Sequence, residues 1–195
     1  PLKAISGWLP PSETQDFDIN AIVRENQGGG TFVAKGNITE EPRYADRLKL
    51  PHGLQGYFDY EQALRVSKEL KKPIFIDFTG HGCTNCREME NRVWSDPEVL
   101  KRLRENFVLL ALYVDDKVIE LPKEEWYTNK SGKQVKLLGK KNTEIQTEKF
   151  GTNSQPYYVI LDSDGNLIVS PRAYNLNIEA FKQFLDEGVK AFSKN

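Results

Sequence analysis

Cysteine is scarce in this sequence: two residues in 195, placed together as Cys83-Thr84-Asn85-Cys86. That count excludes a small scaffold stapled by several disulfides, and a loop so short gains little from chain-entropy effects. Net charge is almost absent as well, with 27 basic against 28 acidic side chains. No overall field therefore draws the chain to nucleic acid or to an anionic membrane surface. No run approaches the roughly 18–20 apolar residues that span a bilayer, and the N-terminus lacks both the charged and the apolar part of a signal peptide. Internal repeats and low-complexity segments are missing too. The chain opens on Pro1 rather than Met, as expected of a processed product or a piece of a longer protein. What remains is ordinary globular composition, 38% hydrophobic and 11% aromatic, enough for one packed domain with an appendage.

Residues 1 to about 57 show little periodicity. Pro10-Pro11, Gly28-Gly29-Gly30 and a short candidate strand Thr31-Phe32-Val33 predict an extension or juxtamembrane linker packing on the domain. Trp8-Leu9-Pro10 reads either as a juxtamembrane remnant or as an anchor against the core. The domain proper is expected over 58–195. Asp59 caps a predicted helix with Ala63, Leu64 and Leu70 on one face, ended by Lys71-Lys72-Pro73. Ile74-Phe75-Ile76-Asp77-Phe78-Thr79 reads as a strand buried on both faces, and Gly80-His81-Gly82 breaks it. Helices are predicted from Cys83 to about Val93 and from Ser95-Asp96-Pro97-Glu98 to Phe107. They lead to a second apolar strand, Phe107 to Val114, expected parallel to the first through a right-handed crossover.

An insertion of hairpin or loop character is read at about 117–139, turning at Ser131-Gly132, and then a helix from about Thr143 to Phe150. The insertion either contacts a partner or covers an edge strand. Its lysines, Lys130 to Lys141, read as a solvated face, and flanking glutamates speak against nucleic-acid binding. Pro156 opens a third strand, Tyr157 to Leu161, joined through Asp162-Ser163-Asp164-Gly165 to Asn166-Leu167-Ile168-Val169 in a hairpin. Asn177 caps a terminal helix with Ile178, Phe181, Leu185, Val189 and Phe192 in one stripe. The order β-α-β-α-β-β-α predicts an α/β domain with a mixed central sheet flanked by helices.

The cysteine pair carries the chemistry. A thiolate attacks a disulfide when it is ionised and exposed, and a helix N-terminus favours the anion. Cys83 stands at such an end; Cys86, one turn later, is placed to close a disulfide with it and to resolve a mixed disulfide. The alternative is half a zinc site, but four soft ligands are usual and only His52 and His81 remain to join. No metal or other cofactor is expected beyond the cysteines themselves. Asp77, six residues before Cys83 in a buried strand, is expected to have a raised pKa and to accept a proton from Cys86 during resolution; a solvated strand-end aspartate is the other reading. His81 either steadies a Cys83 thiolate or points to solvent. Asp162-Ser163-Asp164-Gly165 reads as a turn rather than a calcium loop, and the sequons at Asn37 and Asn129 are of a kind common by chance.

Phe75-Ile76-Asp77-Phe78, Cys83-x-x-Cys86 and Gln155-Pro156 before an apolar strand resemble thioredoxin. Asp77 to Glu90, followed by Val93-Trp94-Ser95-Asp96-Pro97-Glu98-Val99, more narrowly resembles the C-terminal domain of the transmembrane thiol:disulfide interchange (DsbD) family. The resemblance is specific over residues 73 to 99 and looser over about 57 to 190. It implies a thioredoxin fold and a monomeric periplasmic domain tethered to the inner membrane. It further implies electrons passed from a membrane-embedded domain of the same protein to periplasmic protein thiols and disulfides. Cys83 would be the attacking thiol, Cys86 the resolver, and Pro156 a cis proline facing them, with Gln155 offering backbone to a substrate strand. Gly82 and Thr84-Asn85 depart from thioredoxin's tryptophan and Gly-Pro, so potential and partners do not carry over. A free-standing thioredoxin-like reductase serving cytochrome maturation, and a binding module with an inert disulfide, are the competing readings.

Overall fold

The structure, a computed structural model, describes residues 36–194. The candidate strand Thr31–Val33, Trp8-Leu9-Pro10, Pro10-Pro11 and Gly28–Gly30 lie outside the described residues. Helix α1 (Tyr60–Leu70) starts where the Asp59 carboxylate accepts the Gln62 N–H and stops where Lys71 turns left-handed. Strand β1 (Ile74–Thr79) follows, buried along its whole length. Helix α2 (Thr84–Met89) begins at Cys83 and runs into a π-helical turn, Glu90–Trp94, in which Ser95 N–H reaches back to the Glu90 carbonyl. Asp96 caps α3 (Pro97–Asn106) by accepting the Glu98 and Val99 N–H groups. Strand β2 (Val108–Tyr113) then pairs parallel to β1, Ile74 opposite Val108 and Thr79 opposite Tyr113.

The insertion forms a two-residue-wide hairpin, β3 (Tyr127–Thr128) with β4 (Gln134–Val135). Its inner side is core. Ile119, Leu121 and Val135 pack with Leu138 against Ala111 and Tyr113 of β2 and against Leu48 and Phe58. Helix α4 spans Leu138–Phe150 and so begins at Leu138, not at about Thr143 as the polar composition suggested. Leu138 is fully buried, and the buried Asn142 donates to the Tyr113 carbonyl at 3.0 Å. These tertiary contacts hold a turn that local propensity leaves open. Lys141 is likewise not on a solvated face: it packs into a charged network with Asp59 and Glu125.

Strand β5 (Tyr157–Leu161) lies antiparallel to β1 on its other side. The predicted return strand at Asn166–Val169 is corrected. Only Leu167 bridges back, to Leu161, while the strand that pairs with β5 is β6 (Arg172–Ala173), opposite Tyr157 and Tyr158. Asp162 closes the turn by accepting the Asp164 and Asn166 N–H groups, the Ile168 N–H still donates to the Ile160 carbonyl at 3.2 Å, and the ladder goes no further, with the Ile168 and Val169 side chains packed on the hydrophobic core. Asn177 caps the last helix, α5 (Ile178–Phe192).

The sheet order is β2-β1-β5-β6, with Tyr57 bridging to Leu110 along the outer side of β2. Side chains alternate across β1. Ile74, Ile76 and Phe78 pack with α1 residues Ala63 and Val66 and with Ile145 and Phe150 of α4. Phe75 faces the opposite layer, with Met89, Val93, Trp94, Leu103, Phe181 and Leu185. The described residues thus form a mixed four-stranded sheet flanked by five α-helices, the α/β thioredoxin-like architecture expected. Among them no helix is long and apolar enough to cross a membrane.

Candidate redox site

β1 and β2 end side by side, Thr79 against Tyr113, and the chain leaves both at their carboxyl ends, where open α/β sheets form their crevices. Gly80-His81-Gly82 connects β1 to α2 and delivers Cys83 as the N-cap of that helix. Cys83 and Cys86 are joined, S–S 2.01 Å with their Cα atoms 5.2 Å apart, and the Cys86 N–H points at the Cys83 sulfur at 3.2 Å. The two are not equivalent. Cys83 is half-buried on the wall of a cleft of about 390 Å³, with Gly80, Gly82, Thr84, Asn85, Val114, Asp115 and Gln155 as the other lining residues, whereas Cys86 is 1% exposed.

Behind the disulfide lies a buried polar cluster. Asp77, two positions along β1 from Phe75, faces the α2 layer and is 3% exposed, with its Oδ1 finding no partner. Burial pushes its carboxyl up to about 8, with the Glu90 charge adding to the rise and Arg87 opposing it. Arg87 reaches Glu90 at 2.8 Å and Thr79 Oγ1 at 3.1 Å, and Glu90 is itself buried. Tyr113 and Tyr158 complete the surround; burial raises the Tyr113 hydroxyl above its ordinary value and that of Tyr158 well above it. Asp77 is therefore not the solvated strand-end residue of the alternative reading.

The Gln155–Pro156 peptide bond is cis, and Pro156 is buried. Gln155, beside it, lines the cleft across from Cys83 and donates from Nε2 to Gln146 Oε1 at 2.9 Å; Gln146, fully buried in α4, donates to the Ser154 carbonyl. The loop carrying Gln155 and Pro156 is thus held from α4. His81 does not point free to solvent: its Nε2 meets Asp116 Oδ2 at 2.9 Å and its ring lies 4.6 Å from that of Tyr113. Burial raises the Asp116 carboxyl, but N–H groups of Ile119 and Val118 and the His81 ring outweigh this and hold it below the usual range. The sequons are spoken for structurally: Asn37 donates to the Arg104 and Phe107 carbonyls, and Asn129 organises the hairpin turn.

Two residues escaped the sequence reading. Glu90 stands four residues after Cys86, on the same face of a helix, a spacing that was available. Asp115 comes two residues after β2 ends. Its place beside Gly80 follows from the parallel register, which no local pattern states.

A cysteine pair at the head of the helix that follows a central strand of a mixed sheet, in a chain with a cis proline ahead of the neighbouring strand, is an arrangement that thioredoxin-fold oxidoreductases share. The chain belongs to the thioredoxin-like domain family, which matches residues 60–188. It is also similar to the thiol:disulfide interchange protein DsbD of Vibrio vulnificus, 38% identical over 52 residues, a stretch covering 27% of this chain and 9% of that protein. The match therefore spans under a tenth of the curated relative's length. Among solved structures the DsbH oxidoreductase shares the fold, with a TM-score of 0.52 and 19% identity over 86% of this chain and 98% of that one. The reduced C-terminal domain of Neisseria meningitidis DsbD is similar at a TM-score of 0.46 and 17% identity, over 66% and 92% of the two chains.

Proposed function

We propose that this chain is a protein-disulfide reductase domain of the DsbD type. In its dithiol form the Cys83 thiolate attacks a substrate disulfide, one substrate sulfur leaves as a thiol, and a mixed disulfide forms on Cys83. Cys86 then gives up its proton and attacks the Cys83 sulfur, releasing the second substrate thiol and closing the Cys83–Cys86 disulfide. The substrate gains two electrons and the domain loses two. Asp77 is the proton acceptor for Cys86: both are buried on the α2 side of β1, and a carboxyl with a pKa of about 8 exchanges protons with a thiol near neutrality. Gln155, on the cleft, and Pro156 beside it present the edge on which a substrate strand docks, and His81, held by Asp116, steadies the loop that leads to Cys83.

The observation that carries this reading is the unequal exposure of the pair, an accessible Cys83 on a cleft wall with a sealed Cys86 behind it. Electrons are proposed to arrive from a membrane-embedded domain of the same protein and to leave for periplasmic protein disulfides, cytochrome maturation among the processes so supplied. The stretch of identity to the Vibrio protein and the site motif support this. The domain works as a monomer, without metal or added cofactor. Insulin reduction by the 195-residue chain tests the activity. Cys83→Ser is expected to abolish it, and Cys86→Ser to accumulate mixed disulfides on Cys83. A parent chain that reduces no protein disulfide would leave an inert-disulfide binding module instead.

A further inference from the structure

Asp115 takes no part in the exchange steps, yet it lines the cleft beside Cys83. The Val114 N–H donates to the Thr79 carbonyl at 3.0 Å, continuing the β1–β2 pairing and bringing Asp115 alongside the loop 80–82. There the carboxylate accepts two consecutive main-chain N–H groups, His81 on Oδ1 at 2.8 Å and Gly82 on Oδ2 at 2.9 Å. The approach is close: a Cβ on Gly80 would stand 2.8 Å from Oδ2 and 2.9 Å from Cγ and would have to push the carboxylate off the two amides. The next amide, that of Cys83, folds back to the Gly80 carbonyl at 3.3 Å. The main chain from β1 to Cys83 is thus tied to β2's exit by the Asp115 carboxylate, beside the side-chain contact of His81 with Asp116.

That side chain also places a charge at the cleft. The other ionisable groups around the loop are engaged: His81 with Asp116, Arg87 with Glu90 and Thr79, while Asp77 lies buried behind the disulfide. Lys117, two residues on, is exposed. A carboxylate beside a thiol opposes ionisation of that thiol, the more so where the thiol is half-buried.

We propose that Asp115 is a positioning residue of the redox centre, which clamps the loop presenting Cys83 and whose charge keeps the Cys83 thiol protonated to higher pH. This rests on Cys83 being the attacking thiol. The test uses the reduced 195-residue chain and follows alkylation of Cys83 by iodoacetamide against pH, Cys86 being sealed from the reagent. Asp115→Asn keeps the shape and one accepting oxygen but removes the charge; Asp115→Ala removes both. In each the alkylation midpoint is expected to fall by about half a unit. Amide hydrogen exchange at His81 and Gly82 is expected to quicken about tenfold in Asp115→Ala and less in Asp115→Asn. A midpoint that stays put in both variants, or unchanged protection at the two amides, overturns the proposal. Should Asp115→Ala fail to fold, Asp115→Asn decides alone. Because alkylation needs no turnover, a chain inactive on insulin but showing the shift would refute the reductase reading and uphold this one.

Discussion

Asp77 departs far from the ordinary behaviour of its type, because a carboxyl in a sheet centre has lost its water without gaining a full set of partners. Two consequences follow for Asp77→Asn. As proton acceptor, Asp77 should make the parent's exchange rate climb with pH toward about 8; the variant should be flatter and roughly a hundredfold slower at neutrality. Rate–pH profiles against a small disulfide measure this, and identical profiles would remove Asp77 from the proton path. The second consequence is for stability. Below about pH 4 the carboxyl is protonated folded and unfolded alike. Between its ordinary value of 3.8 and its folded value of about 8 only the unfolded chain ionises, so the folded state loses stability as pH rises, and beyond 8 the loss is complete. Urea unfolding of the oxidised protein should show Asp77→Asn gaining on the parent by on the order of 2–4 kcal/mol between pH 4 and 8. A constant difference across that range would contradict the burial account.

Among the elements, α4 shows best how the insertion communicates with the redox loop. Its second residue, Gly139, packs so closely on β2's exit that an added Cβ would overlap the backbone of Asp116. Asp116 in turn holds the His81 ring and caps the start of the insertion through the Val118 and Ile119 N–H groups. Gly139→Ala should therefore displace backbone rather than a flexible side chain, at about 2–4 kcal/mol of stability. It should also slow disulfide exchange although it touches neither cysteine. Thermal unfolding and insulin reduction check the two halves; a variant with parental Tm and rate would show that the contact yields freely. The helix that carries the cysteines is legible by comparison. Cys83 begins it, Asp96-Pro97 begins the next, and only the π-helical turn between them goes beyond what a start-and-stop reading supplies.

At the scale of the whole molecule, one charged network gathers segments far apart in the chain. Asp59, 1% exposed, caps α1 and meets Arg43 at 3.3 Å and Lys141 at 3.4 Å, while Arg43 also grips Glu125 at 2.7 Å. It joins the approach to α1, the insertion and α4. Asp59→Ala removes a cap and leaves the partly buried Arg43 and Lys141 with Glu125 as their shared partner, a loss of about 2 kcal/mol, and Asp59→Asn, which keeps the cap, should lose less. Equal losses in the two variants, read by denaturant unfolding, would assign the whole effect to packing. Much of this was legible along the chain. Asp59, Asp96 and Asn177 marked helix starts, apolar runs marked β1, β2 and β5, and the Cys83–Cys86 spacing at a helix head marked the chemistry, because each of these signals is written within a few consecutive residues. The tertiary structure decided the rest. The return strand at Arg172–Ala173, the early start of α4, the partly buried Lys141, Glu90 beside Asp77 and Asp115 over the loop all depend on which distant segments meet. Strand register and core packing set those encounters, and no local run of residues encodes them.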